Sequence, residues 1–275
     1  MPTETVYGLA ADASDGKAVA GIYTAKGRPS FNPLIVHVPD LAAADRVAIF
    51  NPVARDLARR FWPGPLTLVL PLQPESGIAS LATAGLQTIA LRVPAHPAMQ
   101  ALLAACCKPL AAPSANASGS ISPTSAAHVL KSLGGRIPVI IDAGRTSLGL
   151  ESTIVAVAED GTLRLLRPGP IDLGLALSDA GAIEAPGQLA SHYAPAKPLR
   201  LNVTKAGPDE WLIGFGEVQG DATLSGGGDP AEAAANLFDA LHTAEDSEKP
   251  RIAVAPILAR GLGIAINDRL SRAAA

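Results

Sequence analysis

The sequence predicts an α/β fold: a mixed, twisted open sheet with flanking helices, followed by a smaller C-terminal α/β domain. Three observations carry this. Short runs rich in Val, Ile and Leu alternate with stretches of helical periodicity. Helices open on a capping side chain followed by Pro, as at Asn51-Pro52. Around residues 184–198 both patterns dissolve into Pro, Gly and small residues before strands return. With 275 residues, 48% hydrophobic and 17% charged, the chain can bury a sizeable core. Aromatic residues are 4%, so Ala, Leu, Val and Ile must build that core.

Taken in order, Asp15 to Lys26 places Val19, Ile22 and Tyr23 on one helical face. Leu34–Val38 reads as a buried strand. After Asn51-Pro52, Val53, Leu57 and Phe61 keep helical spacing, and Trp62-Pro63-Gly64-Pro65 is a turn. Leu66–Leu72, Thr88–Val93 and Leu110–Pro113 are strands. Ser122-Pro123 is the expected start of a helix over Ala126–Leu133, with Ser122 as its cap. Strands are expected at Val139–Asp142, Thr153–Val157 and Thr162–Leu166, the last two joined by a hairpin turn at Asp160-Gly161. These elements make a first unit over residues 1–183, joined by a linker over 184–198 to a second over 199–275. The second unit has strands at Leu199–Val203, Trp211–Phe215 and Ile252–Pro256, with helices at Pro230–Ala244 and Gly263–Ala273.

Several function classes are disfavoured. A formal charge of −3 leaves no basic excess for coating nucleic acid. Cys106 and Cys107, adjacent and too few for a disulfide framework, read as buried small residues of a helix in a reducing compartment. The first residues lack the basic and apolar regions of a secretory leader, and no apolar run approaches the roughly 18 residues a membrane span needs. A cytoplasmic location is therefore expected. There is no P-loop, no zinc-ligand spacing and no nucleophile elbow, and the glycines of Gly214–Gly220 have the wrong spacing for a dinucleotide fingerprint.

Three polar stretches stand out in so apolar a chain: residues 2–9 (PTETVYGL), 26–34 (KGRPSFNPL) running into His37, and 113–119 (PSANASG). Lys26 and Arg28 flank a glycine at a helix end, where they read alone as solvated charges favourable to the macrodipole. Together they could also aim two cations at one phosphate. Ser114 and Asn116 follow an apolar strand, at the end of the sheet where open α/β folds bind ligands, although taken alone a polar turn is the better reading of them.

Read in order, PTETVYGL, KGRP with NPLIVHV, WPGPLTLVL, the ALRVP run, PSAN, ESTI, LRPG and the SHYAP linker resemble the YrdC-like family of threonylcarbamoyl-adenylate synthases. The resemblance covers nearly the whole chain. The tail, above all GLGIAINDRL, resembles the extra C-terminal domain of the longer members. It implies condensation of L-threonine, bicarbonate and ATP to threonylcarbamoyl-AMP and pyrophosphate, with Mg2+ accompanying ATP and metal ligands unknown. A separate threonylcarbamoyl-transfer complex would then modify tRNA, so tRNA is an indirect partner. Carried over by position, Lys26, Arg28, Asn32, Thr88, Ser114, Asn116, Ser122, Arg167 and Tyr193 match nucleotide positions, with Lys26 and Arg28 also catalytic. Thr5, His37, Arg92, Ala112 and Ser152 match threonine positions. Arg92 suits a carboxylate, and Glu4 and Glu151 could serve metal or substrate or fix loop geometry.

Members of the family carry a helix and a strand before PTETVYGL. The expectation is that both are missing here, and that the chain as written is less stable than one with that segment restored. The competing reading is a non-catalytic RNA-binding module of the same fold, against which stand the mild acidity and the lack of a basic–aromatic stripe.

Overall fold

The computed structural model describes residues 1–178, 183–188 and 192–275. Its first half runs β1 (Ala11–Asp12), α1 (Gly16–Lys26), β2 (Ile35–His37), α2 (Leu41–Asp45), α3 (Pro52–Phe61), β3 (Leu66–Pro71), β4 (Thr88–Arg92), α4 (Pro97–Cys106), β5 (Leu110–Ala111), α5 (Ala126–Leu133), β6 (Thr153–Val157) and β7 (Leu163–Arg167). The seven strands form one sheet in the order β1-β5-β2-β4-β3-β6-β7. β2–β4 and β3–β6 are parallel and the other pairs antiparallel, so the sheet is mixed as predicted.

The second half runs β8 (Leu199–Arg200), β9 (Glu210–Gly214), β10 (Ala222–Thr223), α6 (Pro230–Asp246), β11 (Arg251–Val254) and α7 (Leu262–Ala273). Its four strands are all parallel, in the order β10-β9-β11-β8.

Local chemistry sets the helix bounds. The Asp15 carboxylate accepts from the Lys17 and Ala18 amides to start α1, and Gly27 at φ 60° ends it. Asn51 caps α3 through the Ala54 amide, with Pro52 in the first turn. The two faces of the large sheet then divide the work. Val36, Leu68, Leu70, Leu91 and Val155 face the main core with Val19 and Ile22 of α1 and Leu57 of α3. Alternation sends Ile35, Val69, Ala90 and Ile154 to the other face, where Ala185 joins them. That second face carries the site.

The two halves share an apolar cluster in which Val6, Ile121, Leu150 and Tyr193 meet Ile213, Leu237, Phe238 and Ile266. Gly149 permits the approach. At φ +68° it comes so close to α6 that a Cβ would stand 2.4 Å from the Ala234 carbonyl oxygen. Among the described residues, no helix is long and apolar enough to cross a membrane.

Four details differ from the sequence expectations. Val139–Asp142 is not a strand: its apolar residues find no neighbouring strand to pair with, and Val139 stays 71% exposed. The cap of α5 is Ser125, which accepts from the His128 amide, so the Ser122 hydroxyl is free for another partner. Cys106 and Cys107 are exposed rather than buried, because Cys107 turns into the left-handed region at φ 51° as α4 ends. β1, α2 and β10, at two to five residues, are too short to leave a periodic signal. Residues 189–191 of the predicted linker, including Ser191 of SHYAP, lie outside the described residues, as do 179–182 at the end of the first unit.

Candidate functional site

A cleft opens on the second face of the sheet. Ile35 and His37 line it from β2, and their register partners on β4 are Ala90 and Arg92. Strand alternation puts all four side chains on this face. The segment 3–8 forms one wall and Ala112–Ser114, just beyond β5, another. Glu151 and Ser152 before β6, Arg167 at the end of β7, and Pro186, His192 and Tyr193 complete it.

Three cations gather around this cleft. Lys26, at the C-terminal end of α1, is 3% exposed and donates from Nζ to the carbonyls of Ser114 and Asn116. Burial, then repulsion from Arg28, holds its pKa well below the usual lysine value. Arg28 donates from Nε to the Asn32 carbonyl (3.1 Å) and from Nη2 to that of Pro33 (2.9 Å), and burial brings its pKa down to about 10. Arg167 donates from Nε and Nη2 to the Ser152 carbonyl at 3.0 and 2.9 Å, and from Nη2 to the Ser152 hydroxyl at 3.1 Å. Among the described residues, none of the three is in an ion pair. The reading of Lys26 and Arg28 as solvated end-of-helix charges is thus overturned. Both are drawn inward.

Arg92 is tied differently. Its Nε donates to the Gly64 carbonyl at 3.0 Å and its Nη1 to Thr5 Oγ1 at 2.9 Å, while Nη2 lies 2.5 Å from Glu4 Oε1. Glu4 therefore pairs with Arg92 by charge, Nη1 keeps one N–H beyond its bond to Thr5, and Nη2 has no hydrogen-bond partner. The carbonyl of Gly64 reaches Arg92 from the tight turn after the cis Trp62–Pro63 bond, where a Cβ on Gly64 would lie 2.4 Å from the Phe61 carbonyl oxygen. Beside Arg92, the His37 ring is 2% exposed, its Nδ1 has no partner, and burial followed by Arg92 lowers its pKa to about 3. It is a neutral hydrogen-bonding group.

On the far wall, burial alone would raise the Glu151 pKa, but Arg269 and Arg167 hold it below the usual range. One carboxylate oxygen accepts from the Ser122 hydroxyl and the other from Arg269 Nε at 2.8 Å. The Ser152 hydroxyl also shares a 2.7 Å bond with Thr67 Oγ1. Tyr193 holds φ +64° and is 1% exposed, and its Oη has no hydrogen-bond partner. His192 stacks edge-on against it at 4.0 Å, with a pKa lowered to about 3 by burial and by Arg28, Lys26 and Arg167, against the pull of Glu151.

The structure thus brings Thr5, Arg28, His37, Arg92, Ala112, Ser114, Ser152, Arg167 and Tyr193 to one cleft. Lys26 and Asn116 stand behind Ser114, and Asn32 behind Arg28. Ser122 reaches the cleft only through Glu151. Thr88 shares the sheet face but begins β4, about 13 Å along the strand from Arg92. Sequence reasoning did not select His192, Pro186 or Arg269. The first two adjoin Tyr193 and the linker glycine, and the third lies in the GLGIAINDRL run. Buried polar atoms without partners cluster here: both amide atoms of Asn32, Asn116 Oδ1, His37 Nδ1, His192 Nδ1 and Tyr193 Oη. Buried polar groups are normally satisfied, so this set fits a polar ligand.

Gly169, two residues beyond Arg167, packs onto the Glu151–Thr153 backbone. A Cβ there would lie 2.4 Å from the Thr153 nitrogen and 2.8 Å from the Glu151 carbonyl oxygen. Gly169→Ala is expected to destabilise the chain by about 1–3 kcal/mol, as overpacking does, and a melting curve unchanged from the parent would refute this.

A family model for Sua5, YciO and YrdC proteins, described as telomere recombination, matches residues 1–169. A second, described as the C-terminal domain of threonylcarbamoyl-AMP synthase, matches residues 153–275. The chain is 40% identical over 309 residues to the threonylcarbamoyl-AMP synthase of Bacillus subtilis, covering 100% of this chain and 88% of that protein. It is 38% identical to the enzyme of the same name from Pyrococcus abyssi, covering 99% and 89%. The crystal structure of P. abyssi Sua5 complexed with L-threonine matches with a TM-score of 0.90 and 37% identity, over 99% of this chain and 89% of that one.

Proposed function

This chain belongs to the Sua5/YciO/YrdC family, with the C-terminal domain of the threonylcarbamoyl-AMP synthases, and from that premise we propose that it condenses L-threonine, bicarbonate and ATP into threonylcarbamoyl-AMP and pyrophosphate. One observation carries the proposal. Lys26, Arg28 and Arg167 are buried around one cleft without a carboxylate partner, beside unpartnered polar atoms. Buried cations left without counter-charge suit a polyanion that arrives as substrate.

In this reading threonine lies at the Thr5, His37, Arg92, Ala112 and Ser152 wall. The free Nη hydrogens of Arg92 take its carboxylate, and the neutral His37 ring bonds the amino-acid head without competing for charge. The threonine nitrogen, as the free amine, bonds to the carbon of bicarbonate, which loses water and leaves a carbamate. A carbamate oxygen then bonds to the α-phosphorus of ATP, and the bond from that phosphorus to pyrophosphate breaks. Lys26, Arg28 and Arg167 stabilise the charge that grows on the leaving pyrophosphate. Ser114, Asn116, Asn32, Ser122 and Tyr193 position the nucleotide, with Thr88 farther along the same face. Among the described residues no group of three or more His, Cys, Asp or Glu side chains could hold a metal ion. The two nearby carboxylates, Glu4 and Glu151, are engaged by Arg92 and Arg269. The residues therefore do not build a Mg2+ site, and Mg2+ enters with the triphosphate as MgATP. The product would pass to a threonylcarbamoyl-transfer complex acting on tRNA in the cytoplasm.

The test is incubation with MgATP, L-threonine and bicarbonate, reading pyrophosphate and threonylcarbamoyl-AMP together. Product formation that stops when threonine is omitted is the expected result. A folded chain that releases no pyrophosphate under these conditions overturns the proposal, and binding of RNA in its place would favour the non-catalytic reading.

A further inference from the structure

We propose that Arg269 is a positioning residue lent by α7 to the nucleotide site: by holding the Glu151 carboxylate, it keeps Arg167 available for phosphate. This rests on the nucleotide reading given above.

Arg269 is fully buried, and its three nitrogens reach three segments. Nε donates to Glu151 Oε2 at 2.8 Å, Nη2 to the Pro168 carbonyl at 2.9 Å, and Nη1 to Asp268 Oδ2 at 2.6 Å. The guanidinium also lies 5.2 Å over the Tyr193 ring. It therefore grips the residue before Ser152, the residue after Arg167, and the aromatic wall of the cleft.

The arrangement of charge gives this grip a purpose beyond packing. Glu151 and Arg167 both line the cleft and feel each other's charge. Yet both Glu151 oxygens point elsewhere, to Ser122 and Arg269, while Arg167 bonds the Ser152 carbonyl and hydroxyl. A buried carboxylate needs a cation. With Arg269 removed, Arg167 is the cation at hand, and a pair with Glu151 would neutralise the charge the triphosphate needs. A merely structural clamp between α7 and the first sheet would lower stability when cut. It would not make nucleotide affinity depend on the charge of Glu151.

The experiment uses the whole chain and measures the Kd for MgATP by calorimetry, with the melting temperature recorded for each protein. Arg269→Met is expected to weaken MgATP binding at least tenfold. Adding Glu151→Gln removes the stranded carboxylate, so the double variant should bind MgATP within threefold of Glu151→Gln alone. If Arg269→Met binds as the parent does, or the double variant binds more than threefold more weakly than Glu151→Gln alone, the assignment is overturned. Should Arg269→Met fail to fold, Arg269→Lys decides. It keeps the charge, so a lower melting temperature with a Kd within threefold supports the proposal, and a tenfold loss overturns it. A parent chain that binds no MgATP would refute the nucleotide reading itself. Binding by the parent with no separation among variants would refute the role of Arg269 alone.

Discussion

Replacing Lys26 with Ala is expected to slow pyrophosphate release by roughly 100- to 1,000-fold, the range seen when one preorganised electrostatic donor is removed. The expectation comes from where Nζ is held. Two of its three hydrogens go to the Ser114 and Asn116 carbonyls, and the third remains for a ligand. Burial and Arg28 make the unpaired ammonium costly, and a phosphate oxygen at this position would offset that cost. Lys26→Arg should not restore the rate. A planar fork cannot replace a compact ammonium between two carbonyls at a position 3% exposed. Turnover in Lys26→Ala within tenfold of the parent would show that the ammonium does not act on the departing pyrophosphate.

Mild acid should destabilise the chain well before its carboxylates titrate. His37 and His192 are held near pKa 3, and His128 and His242, stacked at 3.8 Å, near 4, with burial the leading cause in each case. An unfolded histidine has a pKa of about 6.5. The folded values lie below it, so between them the unfolded chain takes up protons that the folded chain refuses. The stability due to neutral rings is complete above about pH 7 and is lost as pH falls from 6.5, toward 4 for His128 and His242 and toward 3 for His37 and His192. For the well-buried His37 and His192 this amounts to about 2 kcal/mol each at pH 5. The melting temperature should therefore fall by about 10 °C between pH 7 and pH 5. The depressed Glu151 acts in the same direction, but only below its unfolded pKa, nearer pH 4. A melting temperature that is flat from pH 7 to pH 5 would show that these rings accept protons in the folded state.

What could be read from the sequence was mostly what neighbours in the chain determine. β2, β3, β4, β6 and β7 announce themselves because each is a run of Val, Ile and Leu between turn residues. Asn51-Pro52 marks α3 because the cap and the first-turn proline are adjacent. The cations of the site were legible as residue types but not as buried groups, because the burial of Lys26 depends on carbonyls 88 and 90 residues away. Val139–Asp142 has strand composition without a strand beside it, and composition alone cannot report the missing partner. Ser122 carries a helix-cap signal in sequence, yet its hydroxyl goes to a carboxylate 29 residues on. The tie between Arg269 and Glu151 spans 118 residues and left no local trace at all.

That long tie also orders events during synthesis. Lys26 and Arg28 emerge early, but Arg269 lies in the last helix, and at about 5–20 residues per second the ribosome takes on the order of ten seconds or more to reach it. β2–β4 and β3–β6 are parallel, so each waits on a long crossover before it can pair. Through that interval the nascent chain holds apolar strands without neighbours and a cluster of cations without its framework. A chain stalled before α7 would lack both the Arg269 tie to Glu151 and the α7 side chains of the shared apolar cluster.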